Sequence, residues 1–528
     1  MSTFSRLGPR RATDAGTGSR LRPAPTSLAA FIFTAALIYP LAPTASAAPS
    51  APPGLGPDGT ATVHGDAYST DTVPGSGPGP APDITGRQTF ASCSSVFVGN
   101  DGMPVALCTA PIATEPPELL APTVKLFDPT TGGELASVQL DKGALLGGVY
   151  GYLDNRNRVI VADGNHTLLA VGHSQGEDGR WRMDVEPLAS LNAAIPAGDN
   201  PTGLAPTWDG QIWFVTTGGI VGTVRPGTPG SAAQIRTLSL EPGEQITNGT
   251  TMRPGGASVI TSRALYEIDL DTDGTPTVRW RRGYDVGPAR KPGLLAHGSG
   301  TTPTYFAVDN SGTPDDLVAI TDDAPKPDLI VYRRTDGAEV CRLSAFATTE
   351  DPSSVAPDGV LIDGPAATEN SIIAHDGALV LVNTYGYEYP SFAVDSPSTP
   401  ASAPYQGGAT RVDVRVAGDG TTTCQRVWTN RDRTASLPKL TRDDDLIHTL
   451  SYGPIAGNPV QKLGPVYYTA TSLETGREVQ RDFIGMAPLD EPMELTGTLV
   501  AGEGGRAVMW QPTVTRLLRI APNDTAGQ

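Results

Sequence analysis

The feature that most constrains this chain is a four-strand unit that restarts. Between residues 298 and 389 the sequence reads GSGTTPTYFAVDN, DLVAITDDA, DLIVYRRTDG and AEVCRLSAF, then TENSIIAHDG and ALVLVNTYGY. Each piece is a short β-branched or alternating run closed by Asp, Asn, Gly or Pro, the pattern of strands joined by tight turns. Four runs complete a unit, and a Thr-led run opens the next. Such a unit is most simply a blade of a β-propeller, with its first strand lining the central axis.

The same unit recurs along most of the chain. The first blade reads SSVFVGNDG, MPVALCTAP, TVKLFDPTTG and GELASVQLDK; the third reads PTGLAPTWDG, QIWFVTTGG, IVGTVRPG and AQIRTLSL. The last unit supplies only three runs (MELTGTLVAGEG, RAVMWQP, TVTRLLRIA), which invites ITGRQTFAS, ahead of Cys93, to complete it and close the ring. The expected fold is therefore all-β, a single β-propeller of about eight four-stranded blades over residues 84–522, with seven left open. Closed all-β architectures carry long chains as one domain, so 528 residues do not require several. The 61 Gly and 49 Pro suit a protein made of turns.

Residues 1–47 read as a secretory signal peptide. Five arginines precede a 14-residue apolar run (Leu28–Leu41), too short to span a bilayer comfortably, and the small-residue site Ala45-Ser46-Ala47 follows. Cleavage there would take the net charge from −18 to −22, since it removes five arginines and Asp14. Such an acidic surface repels nucleic acid and anionic membranes. Residues 48–83, dense in Pro, Gly and Ser, are expected to form a disordered tether, and 523–528 a C-terminal tail. The mature protein is expected to be extracellular and monomeric, meeting a small molecule, a glycan or a secreted protein.

The four cysteines suit an oxidising compartment. A two-residue turn at Asn100 and Asp101 would set Cys93 opposite Cys108, near enough for a cross-strand disulfide. Cys341 and Cys424 fall on equivalent fourth strands of neighbouring blades. Secretion favours their pairing and the splay of outer strands opposes it, so that bridge stays open.

Acidic residues and Thr-Gly or Asp-Gly recur at the third turn of many units (FDPTTGGEL, LDTDGTPTV, RRTDGAEV, AGDGTTTC, LETGREV). This pattern resembles the blades of the quinoprotein-dehydrogenase-like propeller superfamily. The resemblance implies that architecture and adds quinone-dependent oxidation to the functional options. The adjacent cysteine pair found near the quinone in quinoprotein alcohol dehydrogenases is not in this sequence.

Chemistry is expected where loops before each first strand and after each second strand meet at the channel mouth. Ligand-binding candidates there are Asn248, Thr301, Thr302, Asp322, Asp323, Glu369, Asn370, Asn383, Tyr385 and Tyr387, and the longest insertion, from Tyr387 to Ala409, lies beside them. Glu369, Asn370, Asn248 and Asp322 offer the oxygen ligands a hard cation prefers, so calcium is the metal to consider. His166 and His297 are candidate bases. Gly172-His173-Ser174-Gln175-Gly176 matches the nucleophile elbow of serine hydrolases, but a turn follows where the elbow needs a helix, so Ser174 reads more simply as a strand residue. Tyr385, Tyr387 and Tyr389 alternate, which would put three rings on one side for stacking on a sugar or peptide. The first functional expectation is ligand or partner binding at this face without catalysis. The alternatives are a calcium-dependent hydrolase of esters or lactones and, behind it, a quinone-dependent dehydrogenase.

Overall fold

A computed structural model describes residues 51–109, 111–112, 118–119, 122–142, 151–228, 231–308, 315–346, 364–453, 464–502 and 505–523. The signal segment and residues 524–528 of the expected tail lie outside that set.

Eight antiparallel four-stranded sheets form the blades of a β-propeller. Taken inner to outer, the first is Ser92–Val98, Pro104–Thr109, Thr123–Phe127 and Glu134–Gln139. The inner strands of the next six begin at Tyr152, Pro201, Thr250, Thr304, Ile373 and Lys439. The eighth blade is a composite. Thr498–Ala501, Ala507–Pro512 and Arg516–Ala521 supply three strands, and Asp83–Gln88 from the other end of the chain pairs with the last, Asp83 opposite Ala521 and Gln88 opposite Arg516. Closure therefore falls on the segment that the incomplete last unit pointed to.

Exposure follows position in the blade. Second strands such as Ile212–Thr216, Leu317–Thr321 and Ala378–Val382 are buried at every residue, being covered by neighbouring blades on both faces. Fourth strands such as Glu478–Met486 alternate between more and less exposed residues at the rim.

The repeated acidic turns have a local cause. Asp128 Oδ1 accepts from the backbone N of Thr130 and Thr131, at 2.9 and 2.7 Å, and Asp273, Asp336 and Asp419 accept from the N two residues on. These are Asx turns, which Asp forms by replacing a backbone carbonyl with its side chain. The glycine closing the turn has φ of +66° at Gly337, after Asp336, and +65° at Gly476, where Ser472 Oγ takes the carboxylate's place by accepting from Thr475 N. It also admits a tryptophan from the preceding blade. Trp280 covers Gly337 and donates Nε1–H to Arg334 O at 2.7 Å, and Trp428 covers Gly476 and donates to Leu473 O at 2.7 Å. A Cβ on either glycine would strike the indole, so glycine there serves both the turn and the contact between blades.

Both disulfides are formed. Cys93 stands opposite Cys108, although the turn between the strands is longer than two residues. A bulge between Cys93 and Ser95 absorbs the difference and restores the register. Cys341–Cys424 ties the fourth strands of blades five and six, with Cα atoms 6.0 Å apart, which settles the bridge left open by the sequence. Arg426, reaching from one strand to Ser344 O and Phe346 O beside the other, helps to hold those outer edges together.

The main correction concerns the segment read as a tether. Residues 55–73 are packed inside the ring, along its axis, and residues 74–82 lead from there to the outer strand of blade eight. Leu153 N donates to Ala61 O, Met252 N to Ala67 O, Tyr305 N to Tyr68 O, Ala374 N to Thr70 O and Leu440 N to Asp71 O, all at 2.8–3.0 Å. Those donors come from the inner strands of blades two, four, five, six and seven. Thr60 Oγ1 donates to Val98 O of blade one at 2.7 Å, and Thr72–Val73 adds a parallel strand to blade seven. Composition misled here because Gly and Pro weaken self-supported structure. An axial segment needs no structure of its own, since the surrounding inner strands supply partners for its backbone.

Candidate functional site

The axial segment fixes what the channel can hold. At its centre Asp71, fully buried, accepts from Lys439 Nζ at 2.5 Å, from Ser371 Oγ, and lies 3.2 Å from His64 Nδ1. Lys439 Nζ also donates to Val63 O at 2.5 Å. Burial alone would raise the Asp71 carboxyl; the ammonium of Lys439 and the ring of His64 outweigh it and hold the group at about 2. The channel centre is thus a closed ionic lock between blades six and seven and the axial segment.

The open space lies to one side, beneath the 387–409 insertion. A cavity of about 900 Å³ is lined by Tyr387, Tyr389 and Tyr405, by Arg290 and Asp395, and by several serines of the insertion. The insertion is pinned to the loop before blade five. Gly386 N donates to Pro292 O at 3.0 Å, Asp395 N to Leu295 O at 3.0 Å and Thr399 N to Arg290 O at 2.9 Å. Arg290 donates Nε–H to Ser396 O and Nη1–H to Leu294 O, at 2.5 and 2.6 Å, so its guanidinium is fixed in the wall.

The tyrosines form the other wall. Tyr387 lies 4.8 Å from Tyr389 and 5.7 Å from Tyr405, centroid to centroid, the latter nearly perpendicular. Behind them Glu491 Oε1 accepts from the hydroxyls of Tyr387, at 2.7 Å, and Tyr452. Arg433 covers the faces of Tyr405 and Tyr452 at 5.3 and 5.9 Å. Tyr405 donates its hydroxyl proton to Thr434 O at 2.5 Å. Ring orientations are therefore set from behind, before any ligand arrives.

Buried carboxyls gather at the same side of the ring. Glu494, part-buried with Oε1 shut off from solvent, is pushed up to about 8 by desolvation, only partly countered by Asn370 Nδ2 donating to Oε2 at 3.3 Å. Asp323 is pushed up to about 7 by burial despite its 3.0 Å ion pair with Lys291. Glu369 is raised as well, chiefly by burial, while Oε2 accepts from Leu295 N at 2.9 Å. Glu491 Oε2, Glu494 Oε1 and Arg433 Nε and Nη2 are buried without a hydrogen-bond partner in the protein.

The ligand candidates singled out in the sequence separate into four groups. Glu369, Asn370, Asp323 and Tyr387 belong to this cluster. Asn248 Nδ2 donates to Ser299 O, Thr301 Oγ1 meets Ser299 Oγ, Asn383 Oδ1 accepts from Ala367 N and Tyr385 N, and Thr302 packs on Gly249, so these four brace loops. Asp322 accepts from Asp328 N at 2.7 Å and closes a turn in blade five. Tyr385 packs with Leu294 and Ala367, apart from Tyr387 and Tyr389; the backbone turns at Gly386, and strict alternation does not continue past the strand end at Val382. Among the proposed metal ligands, Glu369, Asn370, Asn248 and Asp322 each spend an oxygen or amide on a different protein partner, and among the described residues no group of three or more His, Cys, Asp or Glu is arranged to hold a metal ion.

His166 Nε2 lies 3.3 Å from Asn200 Oδ1, His297 Nε2 lies 3.3 Å from Gly287 O, and Ser174 sits within the strand Thr167–Gln175 opposite Arg182. These three candidates occupy three different places. Arg290, Asp395, Tyr405, Arg433, Tyr452, Glu491 and Glu494 were not singled out in the sequence. Tyr405 and Asp395 lie in the expected insertion, and Glu491 and Glu494 in the loop before an inner strand, so position was the available signal.

No protein-family model matches the chain. It is 28% identical over 218 residues to an uncharacterized protein of Archaeoglobus fulgidus, over 39% of this chain and 40% of that protein's length. Similar solved structures include a europium-containing methanol dehydrogenase, with 11% identity and a TM-score of 0.48 over 88% of this chain and 98% of that one. Another is the dihydro-heme d1 dehydrogenase NirN, with 12% identity and a TM-score of 0.41 over 76% and 72%. A third is BamB from Moraxella catarrhalis, with 13% identity and a TM-score of 0.33 over 67% and 94%. The molecule is an eight-bladed propeller, in keeping with the quinoprotein-like architecture that the turn repeats suggested. Its axis is filled by its own chain and its open cavity lies under a loop of blade six.

Proposed function

We propose that this is an exported binding protein whose ligand seats in the cavity beneath the 387–409 insertion. The observation that carries the reading is the cavity itself. Its volume lies within the roughly 300–1,000 Å³ typical of small-molecule sites, and in its aromatic wall the hydroxyls of Tyr387 and Tyr405 are held from behind. Export is supported by the basic and apolar leader with its Ala-Ser-Ala site and by two disulfides, which persist in oxidising compartments.

A thermal-shift screen of a small-molecule library tests the site, comparing the natural chain with Ala403→Trp, which places an indole in the cavity wall. Ligands of the cavity raise the melting temperature of the natural protein and leave the variant unmoved, because binding stabilises only the state that has the site. Equal shifts in both proteins would place binding elsewhere and end the proposal. N-terminal sequencing of protein recovered from culture medium tests export, with Ala48 the expected first residue.

Hydrolysis of an ester or lactone is the second reading. The observation in its favour is the set of buried carboxyls held up toward neutral pH, the state in which a carboxyl can deliver a proton. Calcium content of the purified protein and its melting temperature in calcium and in chelator test the metal-dependent form. No bound calcium and identical melts would remove it.

A further inference from the structure

We infer that the cavity takes a neutral polyhydroxylated ligand, a short oligosaccharide; this rests on the cavity being the ligand site as proposed above. An anionic ligand would approach a mature chain of net charge −22, the full −18 less the leader's five arginines and one aspartate, and meet Asp395 and Glu388 at the cavity. A cationic ligand would meet the guanidinium of Arg290, which backbone carbonyls hold in the wall and which stays charged at any ordinary pH. A neutral ligand avoids both penalties.

The tyrosine wall selects shape. Tyr387 and Tyr389 are tilted by 55° and Tyr387 and Tyr405 by 89°, so the wall combines ring faces with ring edges. Sugar rings match such a wall because their C–H faces carry partial positive charge and the face of an aromatic ring is negative. A flat heteroaromatic ligand would instead be served by parallel rings.

The rest of the lining offers donors and acceptors together. Arg290 keeps Nη2 to donate beyond its two backbone bonds, Asp395 keeps acceptor capacity beyond Ser396 Oγ and His297 N, and the hydroxyls of Ser391 and Ser402 can do either. Each sugar hydroxyl is likewise donor and acceptor at once, so a saccharide can satisfy a mixed lining that a purely donating or purely accepting ligand would leave unpaired. The rings lose little freedom on binding, since Glu491 and Thr434 already hold the hydroxyls of Tyr387 and Tyr405.

Isothermal titration of the purified mature chain tests this with maltotriose, cellotriose, xylotriose and chitotriose, and with spermidine and citrate as charged probes. Saturable binding of at least one trisaccharide is expected. Tyr389→Ala should weaken it by about tenfold, Tyr389→Phe should stay within about threefold, and Ala403→Trp should abolish it. Melting curves establish that each variant is folded. If spermidine, citrate or another library compound binds in a manner that Ala403→Trp abolishes while every trisaccharide fails, the sugar assignment is overturned and the cavity remains the ligand site. If no probe or library compound responds to Ala403→Trp, both fall. Sugar binding that survives Ala403→Trp overturns this inference as well.

Discussion

Blades one to four and blades five to eight are built from the same unit and differ in what fills the gaps. In the first half a single apolar cluster runs from Phe97 through Val161 and Trp213 to Ile268, taking in Leu55, Ala61 and Ala67 of the axial segment. In the second half the apolar contacts divide into several smaller clusters, and ionisable groups lie between them: Asp323, Lys439 and Glu491, which are buried, and Glu369 and Glu494, which are part-buried. A continuous apolar core favours rigidity, whereas buried carboxyls cost stability unless something else is gained. Buried carboxyls occur in both halves, but Glu267 of blade four is met by Arg253, Ser258 and Tyr305, whereas Glu491 Oε2 and Glu494 Oε1 beside the cavity have no hydrogen-bond partner in the protein, and that contrast points to where function lies.

The largest expected effect tests whether the halves are joined by the axial segment. A mature chain beginning at Pro82 keeps the closing strand and lacks the plug. It should lose more than about 5 kcal/mol, most of the stability of an ordinary domain, and yield little folded protein on expression. A cooperative melt within a few degrees of the full chain would show that the ring closes without its axis.

Lys439→Met should cost about 3–5 kcal/mol in denaturant titration, because it leaves Asp71 buried and unpaired. The pH sign is definite. Asp71 is lowered, to about 2, so its stabilisation is complete above the usual carboxylate range near 4 and is lost as pH falls from there toward 2. Asp71→Asn should flatten that limb of the acid-unfolding curve.

Trp213→Ala, in the continuous core of the first half, should also cost about 3–5 kcal/mol, with no change in that acid limb. An altered acid limb would mean that the two halves are coupled more tightly than their packing indicates.

Glu494 gives the opposite slope from Asp71. It is raised, to about 8, so the folded state holds a proton that the unfolded state releases, and stability declines as pH rises from about 4.5 to 8. Glu494→Gln should remove part of that decline and raise the melting temperature at pH 8 more than at pH 5. Identical shifts at both values would show that Glu494 titrates normally. The smallest effect belongs to Tyr389→Ala, which should cost no more than about 1 kcal/mol in stability, since the ring is only half-buried at the cavity wall.

How far the sequence could be read follows from the range of each interaction. The Asx turns at Asp128, Asp273, Asp336 and Asp419 are settled within a few residues, so the blade repeat was legible. Cys93 and Cys108 could be paired because a hairpin relates near neighbours, and the bulge shows how a wrong turn length can still give the right partner. Cys341 and Cys424 could not, since 83 residues separate them and the approach of two outer strands depends on how the blades splay. The 387–409 insertion was legible as an interruption; that it encloses a cavity depends on Arg290 and Leu295, from the loop before blade five.

By itself the sequence determined an all-β chain of repeated four-strand units, the strand that closes the ring, and the face on which loops gather. These follow from strand alternation and turn chemistry, which act over a few residues. That residues 55–73 fill the axis, that Lys439 meets Asp71 across 368 positions, and that Glu494 lies beside Asn370 came from the folded ring alone. The reason is physical: a closed ring brings eight inner strands to one axis, and what packs there is chosen by the partners the ring presents rather than by any preference its own residues express.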